Sequence, residues 1–383
     1  MTGTCLLNCF APASSAVLVQ DNLVAEMISK MNTTEIYNTV YALQNLTTRI
    51  YGYSGNVEAA TYLYNRLSNI SGLSVEYQSN YNNIVATLPG MDSTSNVNYV
   101  VGAHYDSISS NQSYAPGATD DGGGVAIVLE FARIMSQYSF NHTLKFAFWN
   151  CEENGELGST EYVKYAYNNK INVSLYMNFD SSCYDPDNRM VLEIMTNQQS
   201  SWVSNMMTEY NTLYGINFAL NYNTHNCSSD QSPFWDYGYT AVMTHSESHG
   251  PQHTSDDTID KVSTTYANKN GQLGMSVLAA LAEVQGINTH PIPTSTLPQI
   301  PSPTPSTIPT LSPTLIPAVT QPLITTPTSR HPASPSSSSS PIPSPNPVPP
   351  EFPLLVFLIV FIAMFTPAVV LIVRKRGKTL KFR

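Results

Sequence analysis

The chain has 383 residues and a formal net charge of −10. That acidic balance argues against a nucleic-acid partner, and no Gly-rich loop of the nucleotide- or dinucleotide-binding type is present. Only 11% of residues are charged, and the composition changes so sharply near residue 289 that the foldable part is about residues 20–288, enough for one large core.

Residues 1–19 read as the remnant of an export signal: Cys5–Ala11 is mildly apolar and Ala13-Ser14-Ser15-Ala16 suits a signal-peptidase site, but a basic leader is missing. Three helices are expected next. Leu23, Met27, Ile28 and Met31 have helical spacing; Ile36, Val40, Leu43 and Leu46 repeat it behind Thr33 or Thr34 as N-cap; Ala59, Leu63, Leu67 and Ile70 give the third. The period then shortens, and 74–78, 83–88 and 99–103 read as strands. From there strands and helices alternate: a helix at 123–137, strand 144–149, a helix at 155–167, strands 174–179 and 189–195, a helix at 200–213, strand 240–245 and a long helix within 259–284. Such alternation predicts an α/β fold, a mostly parallel sheet with helices on both faces and functional groups at the carboxyl ends of the strands.

Residues 289–350 are a different polymer. Nineteen prolines lie there among Ser and Thr with hardly any charge, so the segment cannot bury a core and is expected to be an extended stalk reaching on the order of 190 Å. Residues 351–383 form the expected anchor: Leu354–Val373 carries no charge over a bilayer's length, and Arg374-Lys375-Arg376 follows, which orients the C-terminus inside and the body outside. The run Pro350-Glu351-Phe352-Pro353, apolar span and basic end together resemble the sorting tails of archaeal surface proteins, which implies a sortase-like transpeptidase that would remove the span. Seven Asn-x-Ser/Thr sequons, at Asn32, Asn45, Asn69, Asn111, Asn141, Asn172 and Asn226, agree with an extracytoplasmic, glycosylated body. None of the five cysteines forms a zinc knuckle; Cys183 and Cys227 could pair in an oxidising compartment, and Cys151 reads as a small buried hydrophobe.

Five predicted strand ends carry metal-ligand side chains. His104 and Asp106 close the third strand; Asp120 and Asp121 sit in Pro116-Gly117-Ala118-Thr119-Asp120-Asp121-Gly122-Gly123-Gly124; Glu152 and Glu153 follow the strand ending at Trp149; Asp180 follows Phe179; His253 opens His253-Thr254-Ser255-Asp256-Asp257-Thr258. Taken singly, each has an ordinary alternative as a core histidine, an N-cap or a turn residue. Together they form a nitrogen and carboxylate set without thiolates, which suits catalytic rather than structural zinc.

In that order the motifs resemble the di-zinc aminopeptidase family, whose relatives include glutaminyl cyclases and the transferrin receptor ectodomain. The resemblance covers about residues 75–285. It implies a three-layer zinc-exopeptidase fold with a mixed, mainly parallel eight-stranded sheet between helices, and two zinc ions per chain. His104 and Asp180 would hold one ion, Glu153 and His253 the other, and Asp120 would bridge them. A cis peptide would follow Asp120, with Gly122–Gly124 leaving the backbone room to turn. Asp106 would accept the second imidazole proton of His104, and Glu152 would be the general base that activates water against peptide substrates.

The chain also departs from the pattern. Relatives often have Ser-Asp-His before the last strand, where this chain has Ser229-Asp230-Gln231; some place a tyrosine where Gln252 precedes the last histidine. The oxyanion stabiliser is therefore open among Tyr105, Tyr184 and His249. His245 and His249 are alternative ligands to His253, and His142, His225, His290 and His331 read as surface residues. Three other readings stay open. A glutaminyl cyclase would use one zinc, though those enzymes usually lack an equivalent of Asp121. A carboxypeptidase or dipeptidase would need a cation such as Arg189 or Lys164 for the substrate carboxylate. A non-catalytic receptor or adhesion domain would be free to lose ligands that are all present here. Residue preference and oligomeric state are not legible.

Overall fold

The structure, a computed structural model, describes residues 19–224 and 228–288. It opens with three helices: α1 (Asn22–Ser29), α2 (Thr33–Gln44) and α3 (Ser54–Ser68). The first is capped by Asp21, whose side chain accepts from the N–H groups of Leu23 and Val24. The second starts at an earlier cap than expected: Asn32, not a threonine, accepts from Thr34 N at 2.8 Å. There follow β1 (Ser74–Gln78), β2 (Asn83–Leu88), β3 (Val97–His104), α4 (Gly123–Met135), β4 (Tyr138–Phe140), β5 (Thr143–Trp149), α5 (Leu157–Asn168), β6 (Asn172–Phe179), β7 (Val191–Met195), α6 (Ser201–Leu213), β8 (Ala219–Asn223), α7 (Gln231–Asp236), β9 (Ala241–Ser246), α8 (Thr264–Leu281) and β10 (Val284–Ile287). Helix α5 begins two residues later than the pattern suggests because Gly155 and Glu156 both adopt left-handed backbone, φ 94° and 49°.

Among the described residues the main sheet has eight strands in the order β1-β2-β5-β3-β6-β9-β7-β8. Its centre, β5-β3-β6-β9, is parallel throughout, and β7 pairs parallel with β8. Pairings β1·β2, β2·β5 and β7·β9 are antiparallel. The sheet is therefore mixed, as the resemblance implies. Strands β4 and β10 form a separate two-stranded ribbon.

Alternation along the strands divides the apolar side chains between the sheet's two faces. Ile84, Val101, Phe146 and Phe148 join the larger core under α1, α2, α4 and α8, whereas Val85, Val100, Ala147 and Trp149 join a smaller one under α5 and α7. Helix α4 is apolar around nearly its whole circumference and correspondingly buried. No helix among the described residues is long and apolar enough to cross a membrane; the expected span at 354–373, the stalk and the leader lie outside them.

Candidate metal centre and active site

Because β3, β5, β6 and β9 run parallel, their carboxyl ends lie along one edge of the sheet. His104 is the last residue of β3, Glu152 and Glu153 lie just past β5, and Asp180 directly follows β6. The segment from Ala118 to Gly122 carries Asp120, and the loop after β9 carries His253. The peptide bond between Asp120 and Asp121 is cis, in accord with the resemblance. A side chain on Gly124 would run into the Asp121 carboxylate and the carbonyl of Phe179, which accounts for glycine at that point.

Asp120 stands in the middle of the constellation. Its Oδ1 lies 3.1 Å from His104 Nε2 and its Oδ2 lies 3.1 Å from His253 Nε2. Asp180 Oδ1 is 3.8 Å from His104 Nε2, and Glu153 Oε2 is 3.2 Å from His253 Nε2. Two imidazole–carboxylate pairs thus share one carboxylate. Ligand atoms of His104, Asp120 and Glu153 all fall within 4.8 Å of one another, so the pairs are contiguous. Glu152 Oε2 reaches to 4.0 Å from His104 Nε2. Asp120, Glu152, Glu153, Asp180 and His253 line a cavity of about 180 Å³, together with Ser181, Ser228, Met243, His245, His249 and Gln252.

The surrounding residues fix this arrangement. Asp106 Oδ1 and Oδ2 accept the backbone N–H groups of Glu152 and Glu153, each at 3.2 Å, so one carboxylate holds the turn bearing both acids. Asp121 accepts from the backbone N–H groups of His104 (3.2 Å), Gly124 (3.0 Å) and Ser181 (3.3 Å), tying three segments together. Asp257 accepts from Thr119 N and Oγ1 and from Asp120 N. Behind Asp180 runs a buried chain of hydrogen bonds: Trp149 Nε1 donates to Tyr176 OH (2.7 Å), which donates to Asn178 Oδ1 (2.8 Å); Asn178 Nδ2 donates to Ser229 Oγ (2.9 Å), and Ser229 donates to Asp180 Oδ2 (2.5 Å). The guanidinium of Arg49, wholly buried, donates to the carbonyls of Tyr105 (2.8 Å), Pro116 (2.5 Å) and Gly117 (2.9 Å).

So many acids at one point repel one another unless a cation intervenes. Burial, joined by the charge of Asp120, pushes Glu153 up to about 7. Glu152 is raised well above the carboxylate range by burial, with Asp180, Asp230 and Glu153 adding repulsion against the pull of His104. Asp120 goes the other way: burial alone would raise it, but hydrogen bonds from His104 and His253 hold it low. His253 is pushed up to about 10 by its hydrogen bonds to Asp120 and Glu153. Glu153 Oε1 is buried with no hydrogen-bond partner among the described residues. Two imidazoles and three carboxylates with an unsatisfied buried oxygen form a donor set that fits divalent zinc.

Residues 83–278 match the sequence profile of peptidase family M28. The chain belongs to that family. It is therefore a metallo-aminopeptidase, a hydrolase of peptide bonds. Leucine aminopeptidase 1 of Aspergillus niger is 28% identical over 268 residues, 62% of this chain and 68% of that one. In fold it is similar to the LapA aminopeptidase of Legionella pneumophila, with TM-score 0.62 and 22% identity over 68% of this chain and 74% of that one. The aminopeptidase from Aneurinibacillus sp. strain AM-1 gives TM-score 0.59 and 16% identity over 70% of this chain and 98% of that one.

The M28 chain thus brings together His104, Asp120, Glu152, Glu153, Asp180 and His253, all of them named from sequence. Asp106 has a second task beside the expected one. Its Oδ1 faces His104 Nδ1 at 3.6 Å, and its two oxygens also accept from the Glu152 and Glu153 amides. Tyr105 is not free to serve an oxyanion, since its ring is in the core and its hydroxyl donates to Asn82 O. Tyr184 packs its ring against Gly250. His245 and His249 line the cavity, outside the Asp120-centred cluster. Arg189, the cation considered for a carboxypeptidase, is paired at 2.5 Å with Glu247. Cys151 is a buried free thiol, as expected; Cys183 is buried too, and its suggested partner Cys227 lies outside the described residues. Arg49 and the hydrogen-bond chain behind Asp180 were not visible in the sequence.

Proposed function

We propose that the protein is a cell-surface aminopeptidase that removes N-terminal residues from extracellular peptides by means of two zinc ions. His104 and Asp180 would hold one, Glu153 and His253 the other, with Asp120 shared. The observation that carries this reading is the placement of the two Asp120 oxygens, each 3.1 Å from a different imidazole Nε2.

Zinc in such a site lowers the pKa of a water and polarises the scissile carbonyl. The chain supplies the proton traffic. Glu152, at the cavity wall, takes a proton from the attacking water and returns it to the departing amine. Asp106 keeps Glu152 in place through the backbone. The cavity's acids attract the free α-ammonium of a peptide, and its small volume admits one terminal residue. The name of the Aspergillus relative makes leucyl substrates the first to test.

The location is part of the proposal. Asn32, Asn45, Asn69, Asn111 and Asn172 are exposed, as glycan acceptors must be. The Pro-rich stalk, the uncharged run 354–373 and its basic flank support a tether to the membrane or wall.

Hydrolysis of a panel of aminoacyl-anilides, with metal analysis, tests the reading. Glu152→Gln should bind two zinc ions per chain and lose most turnover. Undiminished turnover in that variant refutes the assignment of the base. One zinc per chain, with cyclisation of an N-terminal Gln peptide, would replace peptidase by cyclase.

A further inference from the structure

Amide hydrolysis places negative charge on the former carbonyl oxygen, and preorganised donors aimed at that charge lower the barrier. The cavity is otherwise walled by acids, which cannot donate once ionised. One further wall residue, His249, stands with its ring 5.2 Å from that of His245, and the other polar side chains differ in what they have left to give. His245 directs Nδ1 to Ser246 O, which leaves the lone pair of Nε2, an acceptor in the neutral ring. Ser228 spends its hydroxyl hydrogen on Glu156 Oε1 at 2.6 Å. Gln252 and Ser181 have donors to spare and sit beside both histidine- and aspartate-bearing segments of the cluster. One N–H of the Gln252 amide donates to Ser181 Oγ, so the second amide N–H and the Ser181 hydroxyl hydrogen have no acceptor among the described residues.

Their place in the chain matters as much. Ser181 directly follows Asp180, and Gln252 directly precedes His253, so this hydrogen bond joins the two imidazole–carboxylate pairs by the immediate neighbours of their members. Ser181 is also immobilised. Its backbone is left-handed at φ 48°, its N–H donates to Asp121 and its carbonyl accepts from Ser246 N at 3.1 Å. Both donors are neutral, so neither competes with the metal for carboxylates as a lysine or arginine would.

Resting on the peptidase reading above, we propose that Gln252 and Ser181 are catalytic residues: together they receive the scissile carbonyl oxygen as charge develops on it. Three variants test this in the zinc-loaded enzyme: Gln252→Met, which keeps length but has no donor, Gln252→Glu, and Ser181→Ala. The readouts are kcat and KM on leucyl-anilide, zinc content, thermal midpoint, and calorimetric binding of two ligands, the tetrahedral analogue leucine phosphonic acid and the product leucine. The expected result for Gln252→Met is a fall in kcat of about 10²–10³ with KM changed less than about threefold. Phosphonate binding should weaken far more than leucine binding, while zinc content and thermal midpoint hold. Gln252→Glu should be at least as impaired, and Ser181→Ala should lose about tenfold or more in kcat. If a Gln252 variant fails to fold, Ser181→Ala with the two-ligand comparison decides. Wild-type kcat, or equal weakening of both ligands, overturns the proposal. Glu152→Gln and the wild-type enzyme assayed alongside separate the failures: if Glu152→Gln is inactive while Gln252→Met is intact, only the donor pair is wrong; if Glu152→Gln is active, the assignment of the base falls as well; if the zinc-loaded wild type hydrolyses no aminoacyl-anilide, the peptidase reading falls.

Discussion

Ser229→Ala isolates one half of the metal centre without touching a ligand. Ser229 donates to Asp180 Oδ2 at 2.5 Å and is held in turn by Asn178, so the donor is buried, short and preorganised. A hydrogen bond to a charged acceptor contributes about 1.5–3 kcal/mol, and each 1.4 kcal/mol is about tenfold in an equilibrium constant. If most of that is transmitted to the ion on Asp180, its affinity falls by about 10–100-fold, the range known for residues that orient metal ligands. Ser229 bonds to Asn178 and Asp180, not to Glu153 or His253, so the affinity of an ion held by those two, as proposed, should change by less than about threefold. Chelator competition against the metal-free protein, resolved into two dissociation constants, measures both. Ser229→Thr, which restores a hydroxyl, should recover most of the loss. Equal weakening of both ions, or neither, refutes the claim that the buried chain from Trp149 acts through Asp180.

Two further outcomes are expected. Arg49→Leu removes the cation that faces Asp257, Asp106, Asp121 and Asp120 and leaves the buried carbonyls of Tyr105 and Pro116 without donors, while Gly117 O keeps the N–H of Gly122, so unfolding free energy should fall by about 3–5 kcal/mol in denaturant titration. Arg49→Lys should recover little of it, because one ammonium cannot reproduce the fork; a loss below about 1 kcal/mol would contradict this account. Removal of metal should make stability strongly pH-dependent. Glu153, raised to about 7, contributes stability that is present below its unfolded value and lost as pH rises through about 7; His253, raised to about 10, contributes stability present below its unfolded value and lost through about 10. The thermal midpoint of the chelated protein should therefore fall from about pH 5 to pH 10 and flatten when zinc returns, and a chelated protein with a flat profile would argue against the crowded site.

What the sequence made legible follows from physical constraints. A parallel sheet gathers its strand ends, so ligand-type residues at the ends of β3, β5 and β6 pointed to one place before any distance was known. What it hid lies in backbone contacts. The resemblance paired Asp106 with His104, and the two do face each other at 3.6 Å; that Asp106 also accepts from the amides of Glu152 and Glu153 was hidden, because those donors are backbone groups. Arg49 lies upstream of the whole site, between α2 and α3, and its partners are carbonyls, which leave no mark in a sequence. Strand β8 was missed because it is short and largely exposed, and α7 because six residues containing Pro233 carry no periodicity.

The departure at Gln231 shows the same limit from the other side. Read as a motif, glutamine in place of histidine looks like damage to the site. In the fold, Gln231 Oε1 accepts from Asn178 Nδ2 at 3.2 Å, the same amide that donates to Ser229. Position 231 thus helps orient the chain that ends on Asp180, and no metal contact is asked of it. A glutamine carbonyl accepts that hydrogen bond as an imidazole nitrogen can. The substitution is therefore compatible with an intact centre, and the ligand cluster around Asp120 is complete without it.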